Sequence, residues 1–397
     1  MWAAIASSLL FILKASDALS THPILLVVSF DGFRYNYFNK GVTPTMDSLK
    51  PEGSRAEYMN NVFLTKTFPN HHSIATGLYP ESHGVLGNSV YDPVKKRVLG
   101  YSADLFKNSE VTPIWTLNQK ASNGRHSGVM MWPGGEFEYK QTLPTFRQPL
   151  DLNTAWEIRV DTVIGWILHR STPANLVMLY FEEPDRRAHA FGPEYLRQKL
   201  SANNLLGKVN VVQLSDHGME SVTFPRIINL TDFVDKTLFQ EVDTSPVLQI
   251  FPKIGKENTV YQTLKTSSKN RHYKIYRKAE LPERWHYKNN PRTPPLLAVA
   301  DEGYGFHDMY AAEQYFTREW HITMSPKMVF GLHGYDNSEP NMRPFFLSWG
   351  PRIKKNYVVS PFNTIDLYSL FSKILELTPP KTNGTGIYVE AILKTKT

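Results

Sequence analysis

Six short apolar runs, at residues 24–30, 128–132, 176–181, 209–214, 296–300 and 344–349, constrain this chain more than any other feature. None alternates with polar residues, so each suits a strand buried on both faces, the usual position in a parallel sheet. Between them lie helical patterns at 154–169 and 364–377. The second sets Ile365, Leu367, Leu370, Phe371, Ile374 and Leu375 along one stripe. Strands alternating with helices predict a doubly wound α/β fold. A chain of 397 residues can bury its core in one large domain or in two smaller ones. Residues 231–292, with Asp, Lys and Pro scattered through them, are expected to form an α+β insertion. No internal repeat or low-complexity tract is present.

Three of the runs deliver an acid at their carboxyl end. Asp31 follows 24–30 directly, Asp185 comes shortly after 176–181, and Asp216 follows 209–214 through Ser215. In open parallel sheets the loops at the carboxyl ends of the strands converge on the ligand site. Three carboxylates gathered there repel one another unless a cation joins them. Histidines accompany them: His189 four residues after Asp185, His217 beside Asp216, and His333 in the stretch Gly331-Leu332-His333-Gly334-Tyr335-Asp336-Asn337. The chain has no cysteine, which excludes thiolate metal sites and cysteine nucleophiles. Carboxylate and imidazole without sulfur is the donor set expected of zinc in hydrolytic sites. A lone Asp at a strand end is more often a turn residue, and a lone His a satisfied core residue. It is the coincidence of three of each that points to metal.

Thr67 opens the segment Thr67-Phe68-Pro69-Asn70-His71-His72-Ser73, which reads as a helix from its first turn to Gly77. Pro69 suits that first turn, where its missing N–H is not needed, and Gly77 suits the end. Free backbone N–H groups and the dipole at such a terminus favour a phosphate. The plainer alternative is that Thr67 is only a helix cap. A threonine hydroxyl becomes a useful nucleophile once a metal or base removes its proton.

The formal charge of +7 and pI near 9.2 come from basic residues scattered along the chain, with no Lys/Arg stripe interleaved with aromatics. A small anionic substrate therefore fits better than a nucleic-acid polymer. Residues 2–13 form an apolar run too short to span a bilayer, and Ala18 and Ser20 supply a small-x-small cleavage pattern. A signal peptide over 1–20 is expected, with the mature catalytic domain over 21–397 and no membrane span. Asn229-Leu230-Thr231 and Asn383-Gly384-Thr385 are acceptor sequons that fit secretion.

Seven motifs occur in order: Ser29-Phe30-Asp31-Gly32-Phe33-Arg34, Thr67-Phe68-Pro69-Asn70-His71, Thr76-Gly77-Leu78-Tyr79-Pro80-Glu81-Ser82-His83-Gly84, Gly87-Asn88-Ser89-Val90-Tyr91-Asp92, Glu182-Glu183-Pro184-Asp185, Ser215-Asp216-His217-Gly218-Met219 and His333-Gly334-Tyr335-Asp336-Asn337. Together they resemble the ectonucleotide pyrophosphatase/phosphodiesterase family of the alkaline phosphatase superfamily, in its short form, most like members four and five. The resemblance implies a mostly parallel central sheet with helices on both faces and a small α+β insertion. It implies two Zn2+ ions, one among Asp31, Thr67, Asp216 and His217 and the other among Asp185, His189 and His333. Thr67 would attack phosphorus and form a covalent threonyl intermediate. Asn88, with the Phe68 backbone N–H, would hold the phosphoryl oxygen. Phe68 would stack on a nucleobase, with Phe146 as its partner. A nucleotide or other small phosphodiester is the implied substrate, and a secreted monomer the expected state.

Against the family pattern, the crossover between His189 and Asp216 is several helical turns short. The remaining helix, expected over 194–206, would be on the order of 20 Å long and would uncover apolar sheet surface. Ala188 stands where the family has Gly, and the usual disulfides are absent. Two other functions follow from these departures and from Phe68: a binding ectodomain without turnover, or a phosphodiesterase for choline-type headgroups.

Overall fold

A computed structural model describes residues 19–41, 43–185, 192–311, 314 and 329–395. His189, Ala188 and residues 1–18 of the expected signal peptide lie outside the described residues. An eight-stranded sheet runs, from edge to edge, Tyr357–Val359, Ser54–Ala56, Phe346–Trp349, Val209–Leu214, Ile24–Phe30, Leu176–Phe181, Ser127–Met130 and Phe146–Gln148. Ile24–Phe30 lies at its centre, parallel to both neighbours, with Leu26 opposite Val177 and Val211. All of its residues are buried, because the two faces serve two cores.

Leu25 and Val27 face the helices Thr67–Thr76, Ile114–Lys120 and Leu367–Leu375. Ile24, Leu26 and Val28 face Pro44–Leu49, Trp156–Ile167 and Gly192–Ala202. Each wholly buried Leu, Val or Ile contributes about 1.5–3 kcal/mol relative to exposure, so both faces of this strand stabilise the sheet.

Two apolar runs differ from their expected setting. Phe346–Trp349 belongs to the central sheet but pairs antiparallel with both Val209–Leu214 and Ser54–Ala56. Burial on two faces determines how apolar a strand is and carries no information about its direction. Leu296–Ala300 lies outside the central sheet, in a four-stranded antiparallel sheet ordered Phe239–Val242, Val247–Pro252, Leu296–Ala300, Tyr273–Arg277. Its unbroken apolar character has a local cause. Leu297 and Val299 pack into the main body, whereas Leu296, Ala298 and Ala300 pack with Val260 and Leu264 of the helix Glu257–Ser268. This sheet and helix make up the α+β insertion and reach Ala300, past the expected limit at 292.

The short crossover is accommodated. Gly192–Ala202 has 11 residues, a helix of about 16 Å. It ends before Asn204, which is left-handed at φ 53°. Leu196, Leu200 and Leu205 are buried, and Lys199 Nζ lies 2.8 Å from Asp161 Oδ1 on the helix Trp156–Ile167. Leu179, Val209 and Val211 remain wholly buried beneath, so among the described residues the sheet surface under this helix is not exposed as expected.

Candidate active site

The carboxyl end of Ile24–Phe30 hands the chain to Asp31 and then to Gly32, whose φ of +69° turns the backbone back over the sheet. The Gly32 N–H donates to Asp216 Oδ1 at 3.1 Å. A Cβ on Gly32 would lie 3.0 Å from the Cβ of Asp185, so glycine lets three acids meet at one rim. The Asp185 N–H donates to the Asp31 carbonyl at 3.0 Å, and the Tyr180 hydroxyl donates to Asp31 Oδ2 at 2.6 Å.

His217 reaches into this rim. Its Nε2 lies 3.2 Å from Asp31 Oδ1, 3.0 Å from Asp216 Oδ2 and 3.4 Å from Thr67 Oγ1. Its Nδ1 lies 2.9 Å from the Gly218 carbonyl, which holds the proton there and turns Nε2 toward the acids. His333 is arranged the same way, with Nδ1 3.0 Å from the Thr65 carbonyl and Nε2 3.4 Å from Asp185 Oδ1. The two imidazoles stack with centroids 3.6 Å apart.

Helix Thr67–Thr76 begins at this point and ends at Gly77, left-handed at φ 69°. The Phe68 N–H donates to Asn88 Oδ1 at 3.0 Å, which orients the Asn88 amide beside Thr67. Phe68 lies against Tyr101 and Phe106, at centroid distances of 5.1 and 5.9 Å. The structure does not bring Phe146 to it. Phe146 sits level with Gly128, packs on the opposite face of the sheet and stacks on Trp166 at 5.5 Å. The ring beside Phe68 is Tyr101.

Among the described residues two groups place metal-ligand atoms within 4.8 Å of one another: Asp31, Asp216 and His217, and Asp185, His217 and His333. His217 thus stands between the two. Asp31 Oδ1 and Asp216 Oδ2 are buried and accept no hydrogen bond from the described residues; His217 Nε2 lies near both, and His71 Nδ1 lies 3.3 Å from Asp216 Oδ2. Orphaned buried carboxylate oxygens beside two imidazoles with Nε2 turned inward suit divalent cations.

The electrostatics agree. Burial and the Asp216 carboxylate push the Asp31 carboxyl up. Burial also raises Asp185, to about 6, although His333 opposes it. Burial works against charge on Asp216 too, yet His217 and His71 hold its carboxyl well below the usual range. His217 is pulled well up against its burial, first by Asp216. Burial and the neighbouring His217 lower His333 to about 4.

Sequence reasoning missed three supports. His71 lies beneath the rim, its Nδ1 2.8 Å from the Thr67 carbonyl and 3.3 Å from Asp216 Oδ2, its Nε2 2.9 Å from Ser29 Oγ. Its position one turn after Thr67 could have revealed it. Tyr180 sits inside an apolar run and gave no signal. Lys66 turns away from the rim to Asp243, 3.0 Å away. Of the sequon asparagines, Asn383 is exposed and Asn229 half-buried. No helix among the described residues is long and apolar enough to cross a membrane.

Residues 25–336 match the family described as type I phosphodiesterase / nucleotide pyrophosphatase. Human ectonucleotide pyrophosphatase/phosphodiesterase family member 5 is 36% identical over 416 residues, covering 98% of this chain and 82% of the relative. Human bis(5'-adenosyl)-triphosphatase is 36% identical over 400 residues, covering 96% and 84%. The structure of murine ectonucleotide pyrophosphatase/phosphodiesterase 5, an inactive form in complex with AMP, superimposes with a TM-score of 0.84 at 36% identity, covering 94% of this chain and 100% of that one.

Proposed function

The chain belongs to the type I phosphodiesterase / nucleotide pyrophosphatase family, and on that premise we propose that it hydrolyses phosphodiester or pyrophosphate bonds of nucleotides and dinucleotides outside the cell through a covalent threonyl intermediate. The observation that carries this reading is the Thr67 hydroxyl at a helix N-terminus, 3.4 Å from His217 Nε2 and beside two buried carboxylates. Asp31, Asp216 and His217 would hold one zinc ion, and Asp185, His333 and His189 the other, with Thr67 Oγ1 completing the first. When bound, the two ions favour the Thr67 alkoxide and neutralise phosphoryl oxygens.

Thr67 Oγ1 attacks phosphorus, the bond to the leaving oxygen breaks, and water later cleaves the Thr67 ester. Asn88 Oδ1 is engaged by Phe68, so Asn88 Nδ2 is the group that donates to a non-bridging oxygen. Phe68 and Tyr101 supply flat apolar surface for a base. The AMP-bound relative and the relative named for a dinucleoside triphosphate support a nucleotide over a choline headgroup. The covered crossover favours an enzyme over a binding ectodomain. Secretion as an N-glycosylated monomer, one catalytic unit over 21–397 after removal of 1–20, completes the reading.

The test is hydrolysis of p-nitrophenyl thymidine monophosphate, with Thr67→Ala and a zinc assay in parallel. Turnover that vanishes in the variant, with about two zinc ions per chain, is the expected result. Equal turnover by the variant would remove the nucleophile. Faster hydrolysis of glycerophosphocholine than of a dinucleoside triphosphate would reassign the substrate.

A further inference from the structure

A lysine next to a phosphoryl nucleophile is ordinarily assigned to the substrate phosphate. Lys66 does something else. Its side chain is 1% exposed and runs into the insertion, where Nζ lies 3.0 Å from Asp243 Oδ2, itself on a side chain 1% exposed. Nζ also donates to the Thr244 carbonyl at 2.6 Å. Asp243 and Thr244 belong to the turn between Phe239–Val242 and Val247–Pro252.

The same turn touches two further parts of the site. A Cβ on Gly87 would lie 2.3 Å from Asp243 Oδ2, and Gln249 Nε2 donates to the Ser89 carbonyl at 3.0 Å. The backbone on either side of Asn88 is therefore pressed against the insertion. A Cβ on Gly334 would lie 2.8 Å from Pro246 Cδ and 3.0 Å from Lys66 Cε, next to His333. This turn and the strand that follows it thus contact the residue before Thr67, the residues flanking Asn88 and the residue after His333.

We propose that Asp243 is a positioning residue: through its buried pair with Lys66 and its contact with Gly87, it holds Thr67 and Asn88 in one register for attack on phosphorus. This rests on the reading of Thr67 as nucleophile and Asn88 as the donor to the phosphoryl oxygen. A fixed charge pair suits the task, because Lys66 cannot swing toward the substrate without leaving Asp243 buried and unpaired. Attack in line tolerates little error, and a displacement of about 1 Å costs about 10²-fold in rate.

The experiment compares Asp243→Asn, Lys66→Arg and the double variant Lys66→Met/Asp243→Leu with the parent, reading kcat, KM, bound zinc and thermal midpoint. Thr67→Ala is measured beside them. Asp243→Asn should lose about 10²-fold in kcat, with KM within about threefold and zinc unchanged. Lys66→Arg, which keeps the charge, should stay within about tenfold of the parent. The double variant leaves no buried charge unpaired, so it should recover the midpoint without recovering kcat. Full kcat in Asp243→Asn, with Thr67→Ala inactive, overturns the positioning role and spares the nucleophile. Recovery of both midpoint and kcat in the double variant also overturns it, since the pair would then only stabilise. Turnover by Thr67→Ala overturns both readings together.

Discussion

His71 and His72 are neighbours on one helix and both are wholly buried, yet they face opposite worlds. His71 points to the carboxylate rim, with Asp216, Ser29 and the Thr67 carbonyl as partners. Burial lowers its affinity for a proton, but Asp216 and Asp31 more than offset this and raise it. His72 points into the apolar core, edge-on to His83 at 4.8 Å and to Phe106 at 5.4 Å. Neither of its nitrogens has a hydrogen-bond partner among the described residues, and burial lowers it to about 3. Burial is common to both faces. The carboxylates alone make one of them a place for a cation.

Breaking the charged face should have the largest effect. Asp216→Asn removes a carboxylate from between His217 and His71. We expect kcat/KM to fall about 10³-fold and bound zinc to drop, read by steady-state kinetics and metal analysis. His71→Leu tests the same face one layer deeper. It should weaken zinc binding about 10- to 100-fold in chelator competition, and His71→Gln, which keeps a donor, should lose less.

The apolar face predicts a different quantity. His72 stays neutral in the folded chain down to about pH 3, whereas the unfolded chain takes up its proton near the ordinary 6.5. The unfolded state therefore binds more protons as pH falls below 6.5, and stability is lost in that direction. His72→Leu should reduce the acid-side slope of unfolding free energy by about 1.4 kcal/mol per pH unit between these limits, measured by denaturant titration at several pH values. An unchanged slope would mean that His72 is charged in the fold. The smallest effect expected is on rate: His72→Leu at neutral pH should stay within about twofold of the parent, and a larger loss would break the division between the faces.

What the sequence made legible follows the same division. Asp31, Asp185 and Asp216 could be placed because each comes just after an apolar run, and a strand end in a parallel sheet faces the site. Thr67 could be placed because Pro69 and Gly77 bracket its helix. Pairings formed at long range left no local trace. The direction of Phe346–Trp349, the transfer of Leu296–Ala300 to the second sheet and the burial of Lys66 against Asp243 depend on partners outside their own segments: Val209–Leu214, Val247–Pro252 and Asp243. Phe146 was misassigned for a related reason: its place is set by pairing with Gly128 and packing on Trp166, neither of which its own segment announces.

The antiparallel strand Phe346–Trp349 also dictates an order of assembly. It lies between Ser54–Ala56 and Val209–Leu214, so the early segment cannot join the sheet until this late one has docked. His333 and the loop that follows it enter the rim from the same late part of the chain. A nascent chain emerging from the ribosome can therefore gather Asp31, Asp185 and Asp216 long before His333 is available, and ring closure at such separation is slow. On the proposed reading, the group Asp185, His217 and His333 is complete only once this late segment has docked.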